Sequence, residues 1–547
     1  MHSPNKFDAV LGDERPRRSK RGLVIGVVAL VALVGVAVGV FFVAHKPATK
    51  VSNASEGSGN KSNSTSKATP KPGAATSGIG FANSTESVSG VAGTVRPAGG
   101  NDTMGAAESG TAQKTAPTTD PTKAVFSLHA LAIGDWGVSL AGDSCCAKYE
   151  KEDGQSLYRD EQAQDQVSYL LALSAKELKP KVILSHGDNF YWNGVGMGDQ
   201  STRFTSTFEE KYHQSSLQNI PWLNVMGNHD YGGSALLCGD RDDEWVECKS
   251  AKEMEKGLEG RFTAQSSYVS PNGDRWKLPS HYYKETIKEG DITVDIYNVD
   301  TNAATVHGAE QVCCQCFGYM GPKKKTDPDY VNCNTVHRGH RLCFGGDNVL
   351  FDACMAKFKA WTDDSLKQLI ADTQASKADW KIVNSHYSPH YHMDPAMMKS
   401  WFDALEKGGV QLFINGHTHA ESHETSTFNT HFITNGAGGG IQSESIGKPP
   451  PGVTNVESVW IGADAPYGFF ELSFSKEWMR TQFITFDKAW KFAKKASATV
   501  RGSKEFITFD KGWTFAKDPS ATVRGSKQVG HCWYIPKDGS TGQKCLL

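Results

Sequence analysis

The chain has 547 residues, 38% of them apolar and 22% charged, with 58 Lys and Arg against 60 Asp and Glu. A formal net charge of −2 lacks the basic excess of a nucleic-acid binder, so no nucleic-acid partner is expected. With 26 Phe, 13 Trp and 16 Tyr the chain is too aromatic to be wholly disordered, and it is too long for a small disulfide-stapled scaffold.

Residues 1–22 contain a basic cluster of Arg15, Arg17, Arg18, Lys20 and Arg21, and residues 23–44 carry no charge and no proline. A helix rises about 1.5 Å per residue, so this run is long enough to cross the hydrocarbon core of a bilayer. A cleaved signal peptide fits less well, because its apolar region runs about 7–15 residues and Phe42 is too large for a small-residue cleavage site. A buried core helix rarely lacks a polar face so completely. The basic flank favours a cytoplasmic N-terminus, which predicts a single-pass type II signal anchor with the remainder extracellular or lumenal. Residues 45–123 are rich in Ser, Thr, Gly, Ala and Lys and have no apolar periodicity. They predict a disordered stalk, glycosylated at Asn53, Asn60, Asn63, Asn83 and Asn101.

All 12 cysteines lie at or beyond Cys145, as the topology requires of disulfides. Cys313, Cys314, Cys316, Cys333, Cys343 and Cys354 crowd an insertion at about residues 305–355. A zinc knuckle is the weaker reading there, because Cys-x-x-Cys spacing is missing.

From about residue 124 onward, apolar runs end abruptly in Gly, Asp, Asn or His. They are residues 128–137, 181–191, 221–231, 380–387 and 410–419. Such runs predict buried strands. Val167, Leu170, Leu171 and Leu178 predict a helical face after the first run, and Leu366, Leu369 and Ile370 predict another before the fourth. Alternating strand and helix predict an α/β fold, in which ligands gather beyond the carboxyl ends of the strands.

Those ends carry Asp135, Asp188, Tyr191, Asn228, His229, His386, His417 and His419. Carboxylate, phenolate, amide oxygen and imidazole are ligands for first-row metals. With one bridging carboxylate the set suits two ions roughly 3.5–4 Å apart. Glycine before Asp135, Asp188, Asn228 and His417 lets the chain leave a strand sharply and pass close to its neighbours.

The motifs Gly134-Asp-Trp-Gly137, Gly187-Asp-Asn-Phe-Tyr191, Gly227-Asn-His-Asp230, Val383-Asn-Ser-His386 and Gly416-His-Thr-His419 resemble the calcineurin-like metallophosphoesterases. Tyr191 narrows the resemblance to purple acid phosphatases. The stretches at residues 193–195, 204–210, 221–222 and 275–276 resemble the small, tartrate-resistant type. The resemblance covers roughly residues 128–486, within a domain placed at residues 124–486.

It implies a four-layer α/β sandwich of two packed mixed sheets flanked by helices. It implies one ion, Fe(III), held by Asp135, Asp188, Tyr191 and His419, with the tyrosinate giving a purple colour. A second ion, divalent Fe, Zn or Mn, is held by Asp188, Asn228, His386 and His417. The implied reaction is hydrolysis of phosphomonoesters at acid pH by metal-bound hydroxide. His229 would contact phosphate or protonate the leaving group. The family places a further substrate-side histidine several residues beyond the His386 position; here His390 and His392 stand closer than in the small type, and each is a candidate. Hydrolysis of phosphodiesters or nucleotides, and a non-catalytic binding ectodomain, are the alternatives. The full set of donor types disfavours the last.

The tail, residues 487–547, carries most of a repeat. Residues 483–504 and 506–527 differ only at Ala489/Gly512, Lys491/Thr514, Lys495/Asp518 and Ala496/Pro519. Residues 483–486 are expected to complete a strand, and the second copy to be an appendage. Cys532 and Cys545 are expected to be paired.

Overall fold

The apolar runs close into strands, and their polar ends become the loops above them. The computed structural model describes residues 119–137, 163–315, 335–439, 449–462, 467–486 and 527–546, with short strands at 491–492, 507–508 and 514–516. The anchor, most of the stalk, and Cys145, Cys146, Cys316 and Cys333 lie outside them. Among the described residues no helix is long and apolar enough to cross a membrane.

Strands β1 (Leu128–Ile133), β2 (Val182–Ser185), β3 (Trp222–Asn224) and β4 (Trp276–Lys277) run parallel. Next come β5 (Tyr283–Glu289), β6 (Ile292–Asn298), β7 (Trp380–Asn384), β8 (Leu412–Asn415), β9 (Glu421–Ser426), β10 (His431–Asn435) and β11 (Val456–Ile461). They form a seven-stranded sheet of order β11-β9-β10-β8-β7-β6-β5, with β6, β7, β8 and β10 parallel. The chain then returns to the first sheet through β12 (Gly468–Phe474), antiparallel to β1, and β13 (Trp478–Phe486).

Alternation along β1 sends its side chains to two different cores. Ala130 and Ala132 meet Leu184, Val294, Ile382 and Ile414 between the sheets. Leu131 and Ile133 meet Val167, Leu170 and Leu171 of α1 (Ala163–Leu178) on the outer face. Beyond the second sheet, Val383, Phe413 and Phe432 pack on Leu369 of the long helix α3 (Asn348–Ala375) and on Trp401 and Leu405 of α4 (Pro395–Gly408). Helix α2 (Ala251–Ser266) lies between these in sequence. The order helix, sheet, sheet, helix is the expected sandwich.

One expectation is corrected, and two expected bounds run into described elements. Ile370 is 37% exposed, because the buried stripe of α3 runs through Thr362, Ser365, Leu369 and Thr373, three of them polar. The insertion placed at residues 305–355 overlaps α3, which begins at Asn348. The first sheet also continues past residue 486. β14 (Lys491–Phe492), β15 (Ile507–Thr508) and β16 (Thr514–Ala516) form a separate small sheet, in which Phe492 pairs with its repeat counterpart Phe515. Then β17 (Lys527–Pro536) pairs along β13, and β18 (Gln543–Lys544) closes the edge. Local patterning cannot register so distant a pairing.

Disulfides join Cys238 to Cys248, Cys313 to Cys354, Cys314 to Cys343 and Cys532 to Cys545. No described cysteine is free, so these residues of the Cys-rich segment are cross-links and not zinc ligands.

Candidate metal centre

The loops leaving β1, β2, β3, β7 and β8 meet at the shared carboxyl end of both sheets. Asp135, Asp188 and His417 each follow a motif glycine, and all three adopt left-handed backbone, with φ of 55°, 50° and 67°. Non-glycine residues held there cost of order 1–3 kcal/mol each, and such strain gathers at functional sites. The glycines serve mainly close approach: a Cβ on Gly416 would stand 2.2 Å from Asp135 Oδ2, and one on Gly227 would stand 2.2 Å from Asp188 Oδ1.

Two donor sets result, and they share Asp188: Asp135, Asp188 and His419 in one, Asp188, His386 and His417 in the other. Tyr191 joins the first, its hydroxyl 3.1 Å from Asp135 Oδ1 and 3.0 Å from His419 Nε2. Asn228 joins the second, its Oδ1 3.2 Å from both His386 Nε2 and His417 Nδ1. Donors about 2.0–2.2 Å from one ion stand roughly 3–3.5 Å from each other, which is the spacing seen here.

The protonation pattern tests whether this cluster fits a cation. His386 Nδ1–H donates to His186 O at 2.7 Å, so Nε2 presents a bare lone pair to the Asn228 oxygen. That nitrogen lies 3.3 Å from His417 Nδ1. Asp188 Oδ2 is buried and receives no hydrogen bond. Burial pushes Asp135 and Asp188 well above the usual carboxylate range, and pulls His386 and His417 well below the usual imidazole range. Acceptor atoms crowd one another around buried Asp188, an arrangement that a shared cation satisfies.

Backbone groups aim these donors. His417 N donates to Asp135 Oδ1 and Oδ2, and His229 N donates to Asp188 Oδ1 at 2.9 Å. The Asp230 carboxylate accepts from Asn189 N, Phe190 N, Gly227 N and Gln265, tying the Asp188 loop to the Asn228 loop. Tyr387 OH lies 2.9 Å from Asn228 Oδ1 and 2.6 Å from His307 O. Asn384 Nδ2 donates toward Ser185 O, Leu223 O and Asn298 Oδ1, bridging the two sheets beneath the centre.

The residues at 204–210, 221–222 and 275–276 serve packing. Arg275 holds Glu209 at 2.7 Å and lies over Phe208, while Trp136 packs against Trp222 and Trp276 under the metal loops.

His229 stands beside the centre, its ring 4.7 Å from that of Tyr191 and its Nδ1–H donating to Trp192 O at 2.8 Å. His392 lies 4.8 Å, ring to ring, from His417, with both nitrogens engaged: Ser388 N–H donates to Nδ1, and Nε2 meets Thr418 Oγ1. His390 is not brought beside the ligands. It packs against Phe432 and Phe402 of the outer layer and bonds Ser388 Oγ. Residues two apart on a helical turn point in nearly opposite directions, so His390 and His392 cannot serve one site together. Sequence reasoning missed Asp230, two residues after Asn228, Tyr387, next to His386, and His307, which no motif flags.

Two sheets bearing a pair of metal-binding sets on their shared edge define a metallophosphoesterase. The calcineurin-like phosphoesterase family model matches residues 128–421. Tartrate-resistant acid phosphatase type 5 of Mus musculus is 30% identical over 330 residues, 59% of this chain and 74% of its own length. The enzyme of that name from Sus scrofa is 30% identical over 317 residues, 57% of this chain and 69% of its own. Purple acid phosphatase 7 of Arabidopsis thaliana is 25% identical over 320 residues, 57% of this chain and 70% of its own. The chain belongs to the calcineurin-like phosphoesterases and, within them, is an enzyme of the purple and tartrate-resistant acid phosphatase type.

Proposed function

We propose that the chain hydrolyses phosphomonoesters in acid solution, using two metal ions that share Asp188. The observation that carries this reading is the meeting of two donor sets at one buried carboxylate. Bound there, two cations would neutralise the phosphoryl oxygens and lower the pKa of water enough to supply a nucleophile in acid.

The chain's own residues supply the rest. Asp135, Asp188, Tyr191 and His419 would hold one ion, and the hard phenolate would favour Fe(III). Asp188, Asn228, His386 and His417 would hold the other, a set suited to divalent Fe, Zn or Mn. His229 has its Nδ1 committed to Trp192 O, which leaves Nε2 as the nitrogen that meets substrate. Burial pulls this imidazole down to about 3, and an anionic phosphoryl group beside it opposes that pull. His229 then contacts the phosphoryl oxygens or protonates the leaving group.

The same reading puts the centre outside the cytoplasm, on a type II anchor at residues 23–44. The apolar run, its basic flank and the paired cysteines support it.

The test is the full-length chain, purified in detergent, assayed for bound iron, a visible absorption band and acid turnover of an aryl phosphate. All three are expected. Absence of both metal and turnover would leave a binding ectodomain, and preferential cleavage of diesters or nucleotides would overturn the substrate class.

A further inference from the structure

His307 lies at the start of the Cys-rich segment, far in sequence from every metal ligand. Its backbone is left-handed, at φ 55°. The ring stands 6.0 Å, centre to centre, from that of His417, and it is half-buried where His386 is fully buried. Its loop is fastened to the loop after β7 from both sides. Val306 N and Thr305 Oγ1 donate to His392 O at 2.9 and 3.1 Å, and the carbonyl of His307 receives the Tyr387 hydroxyl. Behind it, Cys313 and Cys314 at the end of the next short helix are cross-linked to Cys354 and Cys343. The backbone that carries this imidazole is therefore held by hydrogen bonds and, six residues on, by covalent staples.

His392 does not compete for the same task, since both of its nitrogens are engaged by Ser388 and Thr418. Its carbonyl serves as the anchor for the 305–306 backbone.

We propose that His307 is a substrate-contacting residue of the phosphoesterase centre, donating an N–H to the anionic phosphoryl group from the mouth of the site. The inference rests on the function proposed above. It gives the disulfide-stapled segment a role in the reaction, because the staples hold a substrate group in place.

The test uses His307→Ala and His307→Gln in the full-length chain, with metal content, the visible band and calorimetric binding of inorganic phosphate measured beside kcat and KM. His307→Ala keeps the backbone carbonyl that receives Tyr387, so metal content and melting temperature are expected to match wild type. Phosphate affinity and kcat/KM are expected to fall by about 10–100-fold, the usual effect of losing a hydrogen bond to a charged partner. His307→Gln, which retains an N–H donor, is expected to recover part of the loss. Phosphate binding by His307→Ala within twofold of wild type would overturn the inference and leave the parent reading standing. Loss of metal together with phosphate binding would also overturn it, assigning His307 a structural role. A wild-type chain without metal or turnover would end both.

Discussion

The backbone N–H of His417 donates to both carboxylate oxygens of Asp135, at 3.1 and 3.0 Å, across a sequence separation of 282. Asp135 follows a strand of the first sheet and His417 follows a strand of the second. The contact joins the sheets at the point where the two metal-binding sets meet, so the geometry of the centre and the packing of the sandwich are coupled.

Asp188 belongs to both sets, whereas Asp135 and His386 each belong to one. Elemental analysis of wild type is expected to give about two ions per chain. Asp188→Asn is expected to lose most of both, while His386→Ala retains about one. Equal losses in the two variants would contradict a shared carboxylate.

Tyr191 is fully buried, with its hydroxyl between Asp135 and His419. Burial and the neighbouring carboxylates push its ionisation well above the ordinary range, so only a strongly charged cation would hold it as phenolate. Tyr191→Phe is expected to abolish the visible band while circular dichroism shows an intact fold. A variant that kept its colour would refute the ligand assignment.

Asp230 ties two ligand loops together through backbone donors at 2.9, 3.1 and 2.8 Å and through Gln265 at 2.9 Å. Asp230→Asn places an amide donor among these donors. The expected cost is about 1–3 kcal/mol in urea unfolding. Metal affinity should weaken with it. Unchanged stability would show that the clamp is not formed.

Glu424 is buried, and Tyr391 OH donates to it at 3.1 Å. Burial raises its carboxyl from the ordinary 4.5 to about 7. Between those values the folded chain holds a proton that the unfolded chain has released, so stability falls as pH rises. The contribution is full below the unfolded value and lost as pH rises through about 7, a change of about 3 kcal/mol. Denaturant unfolding across this window should show a shallower decline in Glu424→Gln than in wild type. Parallel curves would exclude Glu424 as the source.

The donor identities were legible because their signal is local. An apolar run that stops at Gly-Asp, Gly-Asn-His or Gly-His-x-His places a ligand at a strand end whatever the rest of the chain does. The face of α1 was legible for the same reason. The stripe of α3 was not, because Thr362, Ser365 and Thr373 are buried by partners that an apolar pattern does not reveal.

Asn384 shows where the local signal stops. In sequence it is one polar residue inside a motif; in space it bonds across to the other sheet and neighbours His186 at 2.6 Å. His390 and His392 divide in the same way, since a helical turn sends one outward and the other toward His417.

Sequence alone determined which side chains end the strands and what chemistry they offer, since strand periodicity and ligand chemistry are properties of neighbouring residues. Only the tertiary structure decided that Asp188 belongs to both donor sets, that β17 extends the first sheet and that His307 stands beside His417. Those facts depend on strand pairing and loop closure between segments far apart in the chain, and no local pattern encodes them.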